Sequence, residues 1–310
     1  MIRAFPRGFS YPIPRTWGLS IWHRGPVEHR WNQMTEDGKD RWRGFRIATR
    51  ELAEAEHCGV SELVIDVNHH PSGINCTVFS EPCVEYDNLL TILRRQGFRR
   101  LDLAVMVGEQ GFSEDSHALN SGYLRRALSH APYLEHISLR TDDYDADYDW
   151  NQDPTLNFVP LNTIFPVDNW QCLQHFGLSQ FPVRQDNLLS VLAALPSTLR
   201  SVESSNLVFL QGNYCNLLVD MRDSLGWRTR GRNERPKVIL AITDRYGTEL
   251  SIWVDKEVNA FRYEGDTNPF QLMVEDTVPH GVGVVRDVFN PNHERPNLGL
   301  VQLADAGYIK

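Results

Sequence analysis

The 310-residue sequence contains no run of about 18 apolar residues, the length that a helix needs to cross a membrane. Its first residues, MIRAFPRGFSYPIPRTWG, include no apolar stretch long enough for a secretory signal peptide. The five cysteines are scattered, and the closest pair, Cys76 and Cys83, lacks the spacing of a metal knuckle. These absences predict a cytoplasmic or nuclear protein with reduced thiols and no membrane partner.

Basic residues are too few for a nucleic-acid binder. The chain has 31 Lys and Arg against 40 Asp and Glu, which gives a formal net charge of −9 at pH 7. Nonspecific binding to nucleic acid needs a basic face, so we expect no nucleic-acid partner. The apolar fraction of 41% still allows a core of ordinary size, which predicts a folded protein.

Catalytic and metal-binding motifs are missing as well. The sequence has no GxSxG, no HExxH and no Gly-rich stretch that leads to a lysine. His69 and His70 are adjacent, so they point in different directions and favour a solvated loop over a metal site. A catalytic triad can assemble from distant positions, so an enzyme remains an alternative. We expect no cofactor and no metal.

The segment 85–141 contains the pattern that organises the chain. A short amphipathic helix, a Gly or Pro stop and a strand of alternating apolar residues occur there twice. In the first copy the helix carries Leu89 and Leu93, Gly97 ends it, and Leu101 and Leu103 begin the strand. One such unit cannot bury its own apolar face, so it predicts stacking against copies of itself.

Further copies precede and follow this segment. The strand residues that we align as equivalent are separated by 38, 36, 39, 26 and 36 residues, in the order Leu63, Leu101, Ile137, Phe176, Val202 and Val238. Leucine-rich repeats usually have ~20–29 residues, so the loops here are long and the repeats irregular.

The pattern predicts an α/β fold, an irregular leucine-rich-repeat-like solenoid of helix–strand repeats with a parallel sheet. An ordinary α/β domain, with helices on a parallel sheet, would show the same alternation and is the competing interpretation. We divide the chain into an irregular N-terminal arm at 1–40, the solenoid at 41–243, and a C-terminal β-hairpin with an irregular tail at 244–310. In the hairpin, Ile252 and Val254 lie on one strand, and Val258, Phe261 and Tyr263 lie on the returning strand.

Several segments resemble a group of uncharacterised filamentous-fungal proteins that pair an F-box with degenerate leucine-rich repeats. They are EAEHCGVSELVIDVN, SGINCTVFSEPCVEYDNLLTILRRQGFRRLDLAV, LPSTLRSVESSNLVF, LLVDMRDSLGW and GVGVVRDVFNPNHERP. The resemblance implies the substrate-receptor part of a ubiquitin-ligase adaptor, with ligase components among the partners. Residues 1–40 lack the leucine-rich pattern of an F-box, so we expect that this module was lost or that the chain is a fragment.

Two loops are the candidate partner-binding sites. An acidic loop interleaved with aromatic residues consists of Asp142, Asp143, Tyr144, Asp147, Tyr148 and Trp150. Its aspartates alternate like calcium ligands, but the central Gly and terminal Glu of a calcium loop are absent. Aromatic residues favour a protein-recognition site for a basic segment, and a plain solvated loop is the other interpretation.

The second loop is basic and contains Arg228, Arg230, Arg232 and Arg235. It could bind an acidic or phosphorylated peptide, or it could neutralise acidic loops of the same chain. The sequence therefore predicts a noncatalytic protein-interaction scaffold with a protein partner of unknown identity. The alternative is an enzyme that acts on a small molecule held in the concave face.

Overall fold

A computed structural model describes residues 2–3, 31–55, 59–65, 73–107, 118–141, 158–243 and 251–272. The fold is mixed α/β and its main sheet is mostly parallel. Within these ranges no helix is both long and apolar enough to cross a membrane.

The α-helices and strands follow one another along the chain as the sequence pattern predicts. The helices are α1 Glu36–Lys39, α2 Arg43–Glu54, α3 Val84–Leu93, α4 Tyr123–Ser129, α5 Leu161–Ile164, α6 Gln185–Ala194, α7 Tyr214–Ser224 and α8 Asp255–Tyr263. The strands are β1 Ile2–Arg3, β2 Glu62–Ile65, β3 Ile74–Asn75, β4 Arg100–Met106, β5 His136–Thr141, β6 His175–Ser179, β7 Pro182–Arg184, β8 Ser201–Ser205, β9 Val208–Gln211, β10 Lys237–Ile239, β11 Ala241–Thr243 and β12 Ser251–Trp253.

The main sheet keeps its strands in chain order. Its hydrogen-bonded path runs β1, β2, β4, β5, β6, β8 and β10, every pairing is parallel, and β3 pairs with the far end of β4. Among the described strands, β1 and β10 form the two edges, so the sheet is open. The helices contact one another in the same order, from α2 to α8.

One residue from each of six successive strands lies at the same register. Each is at most 2% exposed, and we call the set the apolar ladder: Leu63, Leu101, Ile137, Phe176, Val202 and Val238. These residues join one apolar cluster with helix residues such as Leu89, Leu188 and Leu217. The predicted alignment of equivalent strand positions is therefore confirmed residue by residue.

Local sequence determines where helix α6 ends, and packing buries one of its faces. Leu188, Val191 and Leu192 are buried at helical spacing, and the helix ends just before Pro196, which cannot continue it. Asp and Asn commonly cap helices, but neither Asp186 nor Asn187 does so here, because the helix begins at Gln185. The Asn187 side chain instead accepts a 2.7 Å hydrogen bond from the Leu161 backbone amide of α5.

The C-terminal hairpin prediction was wrong in its second half. Strand β12 does pair antiparallel with β11, but the chain then forms α8, not a returning strand. Val258, Phe261 and Arg262 are buried at spacings of three and four residues, which place them on one face of a helix. The interval from Val258 to Phe261 does not fit the period of two that a strand requires.

Helix α8, and not a returning strand, covers the open edge of the sheet at β10. The Asn259 amide accepts a hydrogen bond from the Val238 amide at 2.9 Å and donates one to the Val238 carbonyl at 2.7 Å. Asp255 Oδ1 accepts from the Leu240 amide at 2.8 Å. Side chains therefore pair with backbone groups of β10 that would otherwise invite edge-to-edge association.

The opposite end of the structure is closed by aromatic packing around a buried carboxylate. Trp31 and Trp42 pack edge to face at 5.6 Å between ring centroids, and both are buried. Trp31 Nε1 donates to Glu85 at 2.8 Å, and Arg46 Nε donates to the same carboxylate at 2.9 Å. Trp31 therefore covers this end of the described structure.

Cys83, Cys172 and Cys215 are free thiols, and Cys58 lies outside the described residues. The Sγ of Cys83 accepts a 3.4 Å hydrogen bond from the Tyr86 amide and so caps the first turn of α3. Burial, the largest cause, raises the pKa of the Cys83 thiol to about 11. Cys172, in contrast, is exposed.

Truncation of a core leucine should destabilise the fold strongly. Leu192 is fully buried in α6, so Leu192→Ala should lower the free energy of unfolding by about 2–5 kcal/mol in urea titrations. Ile47→Ala is the matched control, because Ile47 is 45% exposed and its loss should stay within about 0.5 kcal/mol. Equal losses for the two variants would contradict the assignment of the core.

The two contrasting cysteines should differ in their rates of alkylation. At pH 8 in the folded protein, iodoacetamide should modify Cys83 at least about tenfold more slowly than Cys172, because the thiolate is the reactive form. The Cys83 rate should rise as the pH approaches about 11, the value to which burial raises its pKa. Peptide mass mapping measures both sites, and the difference should vanish in denaturant. A fast Cys83 in the folded protein would refute its burial.

Candidate functional site

The two loops predicted to bind a partner have different outcomes. The acidic and aromatic loop lies outside the described residues, with Asp142, Asp143, Tyr144, Asp147, Tyr148 and Trp150. The basic loop is described, and it folds into two short 3-10 helices, Trp227–Thr229 and Arg232–Glu234. Arg228 and Arg232 are exposed there, whereas Arg230 and Arg235 are half-buried.

The basic loop carries charge that no carboxylate of the described residues balances. Within those ranges, none of Arg228, Arg230, Arg232 and Arg235 forms a salt bridge. Arg235 instead donates from Nε to the Arg230 carbonyl at 3.1 Å and lies over the Tyr263 ring. These contacts hold the loop in place and leave the interpretation as an anion-binding segment open.

A site that the sequence analysis missed lies on the main sheet. Strand side chains alternate between the two faces, so the residues that precede the apolar ladder share the opposite face. They are also in register, and we call them the polar ladder: Glu62, Arg100, His136, His175, Ser201 and Lys237. None of them belongs to the apolar cluster that the helices share.

The central members of the polar ladder contact one another across the strands. Arg100 reaches the Asp102 carboxylate through Nη2 at 2.5 Å and Nε at 3.2 Å. His136 Nε2 lies 2.7 Å from the other oxygen of Asp102. The His136 and His175 rings stack at 4.0 Å, and His175 Nδ1 lies 2.7 Å from Ser201 Oγ. A continuous polar chain thus crosses four adjacent strands.

Burial makes charge pairing necessary within this row of polar side chains. The Asp102 side chain is only 3% exposed, and a buried carboxylate is costly unless it is paired. Arg100 and His136 supply that pairing from neighbouring positions on the same sheet face. Arg100 hydrogen-bonds to one oxygen of Asp102, and His136 Nε2 lies within ion-pair distance of the other, so Asp102 is a poor candidate for a free acid or base.

Gly177 makes the close stacking of these rings possible. A Cβ built at this position would lie directly against Ser138 Oγ and only 3.1 Å from His175 Nε2. Gly177 pairs with Ser138 in the register of β5 and β6, so no shift along the strand relieves the crowding. The absence of a side chain therefore gives the histidine room to lie flat on the sheet.

The arrangement differs from a nucleophilic triad. In a triad the carboxylate orients the same imidazole that contacts the serine. Here Ser201 contacts His175, while Asp102 contacts His136. Among the described residues, no group of three or more His, Cys, Asp or Glu side chains has a geometry that could hold a metal ion. The polar ladder is thus better suited to recognition by hydrogen bonds than to these two chemistries.

The sequence did contain a signal for this site. Once the apolar ladder is aligned, each polar-ladder residue is the one immediately before it, which brings Arg100, His136 and His175 to adjacent positions. The contacts among them depend on rotamers and on the space above Gly177, and those are tertiary features.

Comparisons with protein-family models, with curated proteins and with the solved structures found no match for this chain.

Substitution of Gly177 should test the crowding on the polar face. Gly177→Ala should lower the free energy of unfolding by about 1–3 kcal/mol, because the added methyl group displaces Ser138 and His175. Gly231→Ala is the matched control, since its Cβ would meet nothing closer than 3.5 Å, and it should change stability by less than about 0.5 kcal/mol. Adding Ser138→Ala to Gly177→Ala should recover part of the loss. A neutral Gly177→Ala variant would contradict the model of the site.

Proposed function

We propose that the protein is a noncatalytic protein-interaction scaffold, an irregular leucine-rich-repeat-like solenoid that binds a partner through its polar ladder. In this proposal it acts as the substrate-receptor part of a ubiquitin-ligase adaptor, as its resemblance to F-box proteins with degenerate repeats implies. A protein partner is expected, and neither nucleic acid nor a membrane is.

The order of the elements supports a repeat architecture. The strands of the main path occur in the same order in the chain as in the sheet. The helices contact one another in that order too. Three residues before each of the first five apolar-ladder positions there is another buried apolar residue, in the order Val60, Phe98, Leu134, Leu173 and Leu199. This spacing is the start of the LxxLxL core that defines leucine-rich repeats.

Two consecutive units also share the same corner after their strands. Gln180 follows β6 with φ of 54°, and Asn206 follows β8 with φ of 52°. Each donates its backbone N–H to the next unit, Gln180 to the Ser205 carbonyl at 3.0 Å and Asn206 to the Ala241 carbonyl at 2.8 Å. A left-handed corner at equivalent positions is what repeated units of one design would contain.

The observation that carries the proposed binding role is the polar ladder itself. Six adjacent strands lie about 4.8 Å apart, so the ladder is roughly 24 Å long. That length matches the width of a standard protein interface, which covers about 800 Å² on each partner. Along the row an acidic group at Glu62 is followed by the basic Arg100, two imidazoles, a hydroxyl and the basic Lys237. Such a row favours a specific extended partner.

The alternative of an enzyme in the concave face has one contact in its favour, the 2.7 Å separation of His175 Nδ1 and Ser201 Oγ. The carboxylate that would orient this imidazole contacts His136 instead. His175 is also only 8% exposed, which leaves little room for a substrate beside the serine. A binding role therefore explains the contact of His175 with Ser201 without requiring an oriented imidazole or space for a substrate.

Substitutions on the polar ladder should abolish capture of the partner. A tagged chain with Glu62→Ala, His136→Ala and Lys237→Ala, expressed in the native cells, should lose the partner that the unmodified chain recovers, because three contacts across the face are removed. A control chain carries Glu51→Ala, Arg126→Ala and Asn216→Ala at exposed helix positions and should recover the partner normally. Quantitative mass spectrometry compares the two.

The outcomes separate the parts of the proposal. Ligase subunits among the captured proteins would support the adaptor role, and a partner without them would support the scaffold alone. Equal capture by the ladder variant and the control would refute the polar ladder as the binding face. Circular dichroism of both variants confirms that each is folded.

A further inference from the structure

The C-terminal end of the described structure contains a buried arginine with no acidic partner among the described residues. Arg262 projects from α8 and is 1% exposed. Its guanidinium carbon lies 4.7 Å from the centroid of the Trp227 ring and 5.2 Å from that of Tyr263. Nη2 makes one long contact of 3.5 Å with the Met221 carbonyl, and neither Nε nor Nη1 has a hydrogen-bond partner in the described part of the chain.

A second guanidinium group, that of Arg235, lies against the same tyrosine. Arg235 lies over the Tyr263 ring at 5.4 Å, and the Tyr263 hydroxyl donates to the Pro236 carbonyl at 2.6 Å. Arg230 contributes its carbonyl to Arg235, and its own Nη1 is buried without a hydrogen-bond partner among the described residues. We call Arg230, Arg235 and Arg262, with Trp227 and Tyr263, the arginine cluster.

The cluster is cationic and lacks compensation within the described ranges. None of its three arginines takes part in a salt bridge there. Burial lowers the pKa of Arg262 to about 10, because desolvation penalises the charged form. Cation–π contacts with Trp227 and Tyr263 offset part of that penalty, but they leave the N–H donors unsatisfied.

Among the described residues, the arginine cluster lacks the kind of charged partner that the buried Glu85 has. Glu85 is the buried charge at the other end of the sheet, and it has both an arginine and an indole N–H as partners. An acceptor with two negative charges and several oxygens would satisfy the arginine cluster in the same way, and guanidinium forks match such an oxyanion in shape.

We propose that the arginine cluster is a binding site for a phosphoryl group. The half-buried Arg230 and Arg235 contact the phosphoryl oxygens, and Arg262 behind them supplies the fixed positive charge. The exposed Arg228 and Arg232 of the same loop attract the anion to the site. Either a small phosphate ester or a phosphorylated side chain could supply the group. The proposed site does not depend on the proposed scaffold role.

Binding of inorganic phosphate to the full chain tests the site directly. Calorimetry and thermal unfolding should show saturable binding and a midpoint that rises with phosphate, with sodium chloride at equal ionic strength as the reference. Arg235→Ala and Arg230→Ala should each weaken binding on the order of tenfold, the loss of one charge-assisted contact. Arg126→Ala, which removes an exposed arginine from α4 outside the basic loop, should stay within about twofold.

A phosphoserine peptide and its unphosphorylated form then distinguish the sources. Tighter binding of the phosphopeptide than of inorganic phosphate indicates a protein-borne group, and equal or weaker binding indicates a small ester. Equal thermal shifts with phosphate and chloride would overturn the proposal. Equal affinities of Arg235→Ala and Arg126→Ala for phosphate would overturn it too.

Arg262→Met provides a second test that does not rely on the surface variants. If the charge of Arg262 is compensated only by a bound anion, Arg262→Met removes an uncompensated buried charge. Without phosphate, this variant should therefore unfold at the same temperature as the unmodified chain or higher. It should also lose the phosphate-dependent shift. A lower midpoint combined with undiminished phosphate binding would show that Arg262 is structural and would overturn its place in the site.

Discussion

The register of the parallel strands is the constraint on which the rest of the structure depends. The apolar ladder aligns one buried side chain from each of six strands, from Leu63 to Val238, against the helices. Because side chains alternate with a period of two, this alignment also fixes which residues share the opposite face. A slip by one residue would bury Arg100 and His136 among the leucines and expose the ladder, so the register is strongly determined.

The two ends of the sheet are covered by different kinds of side chains. At the N-terminal side, Trp31 and Trp42 pack around Glu85, whose charge Arg46 compensates. At the C-terminal side, α8 pairs Asn259 with the edge of β10, and it brings Arg262 into a ring-lined site without an acidic partner among the described residues. A buried cation usually persists only where something compensates it. That asymmetry separates a structural end from an end suited to a ligand.

These features suggest a division of labour along the molecule. The helix layer and apolar ladder give stability, the polar ladder offers an extended surface, and the arginine cluster offers a compact cationic site. The polar ladder is itself restrained, since Asp102 is held by Arg100 and His136, and since Gly177 gives room to the stacked imidazoles. Restrained polar groups lose little conformational entropy on binding, which favours recognition of one defined partner.

The sequence by itself determined the succession of helices and strands and the alignment from Leu63 to Val238, because hydrophobic periodicity and Gly or Pro stops are local signals. It failed where long-range contacts override local preference: Asn187 bonds to Leu161 and not to its own helix, and α8 forms where strand alternation was expected. Only the tertiary structure brought His136, His175, Asp102 and Ser201 into contact, and only it placed Arg262 beside Trp227. The alignment makes the polar strand residues neighbours, but their contacts, and the contact of Arg262 with Trp227, depend on rotamers and packing that no local pattern encodes.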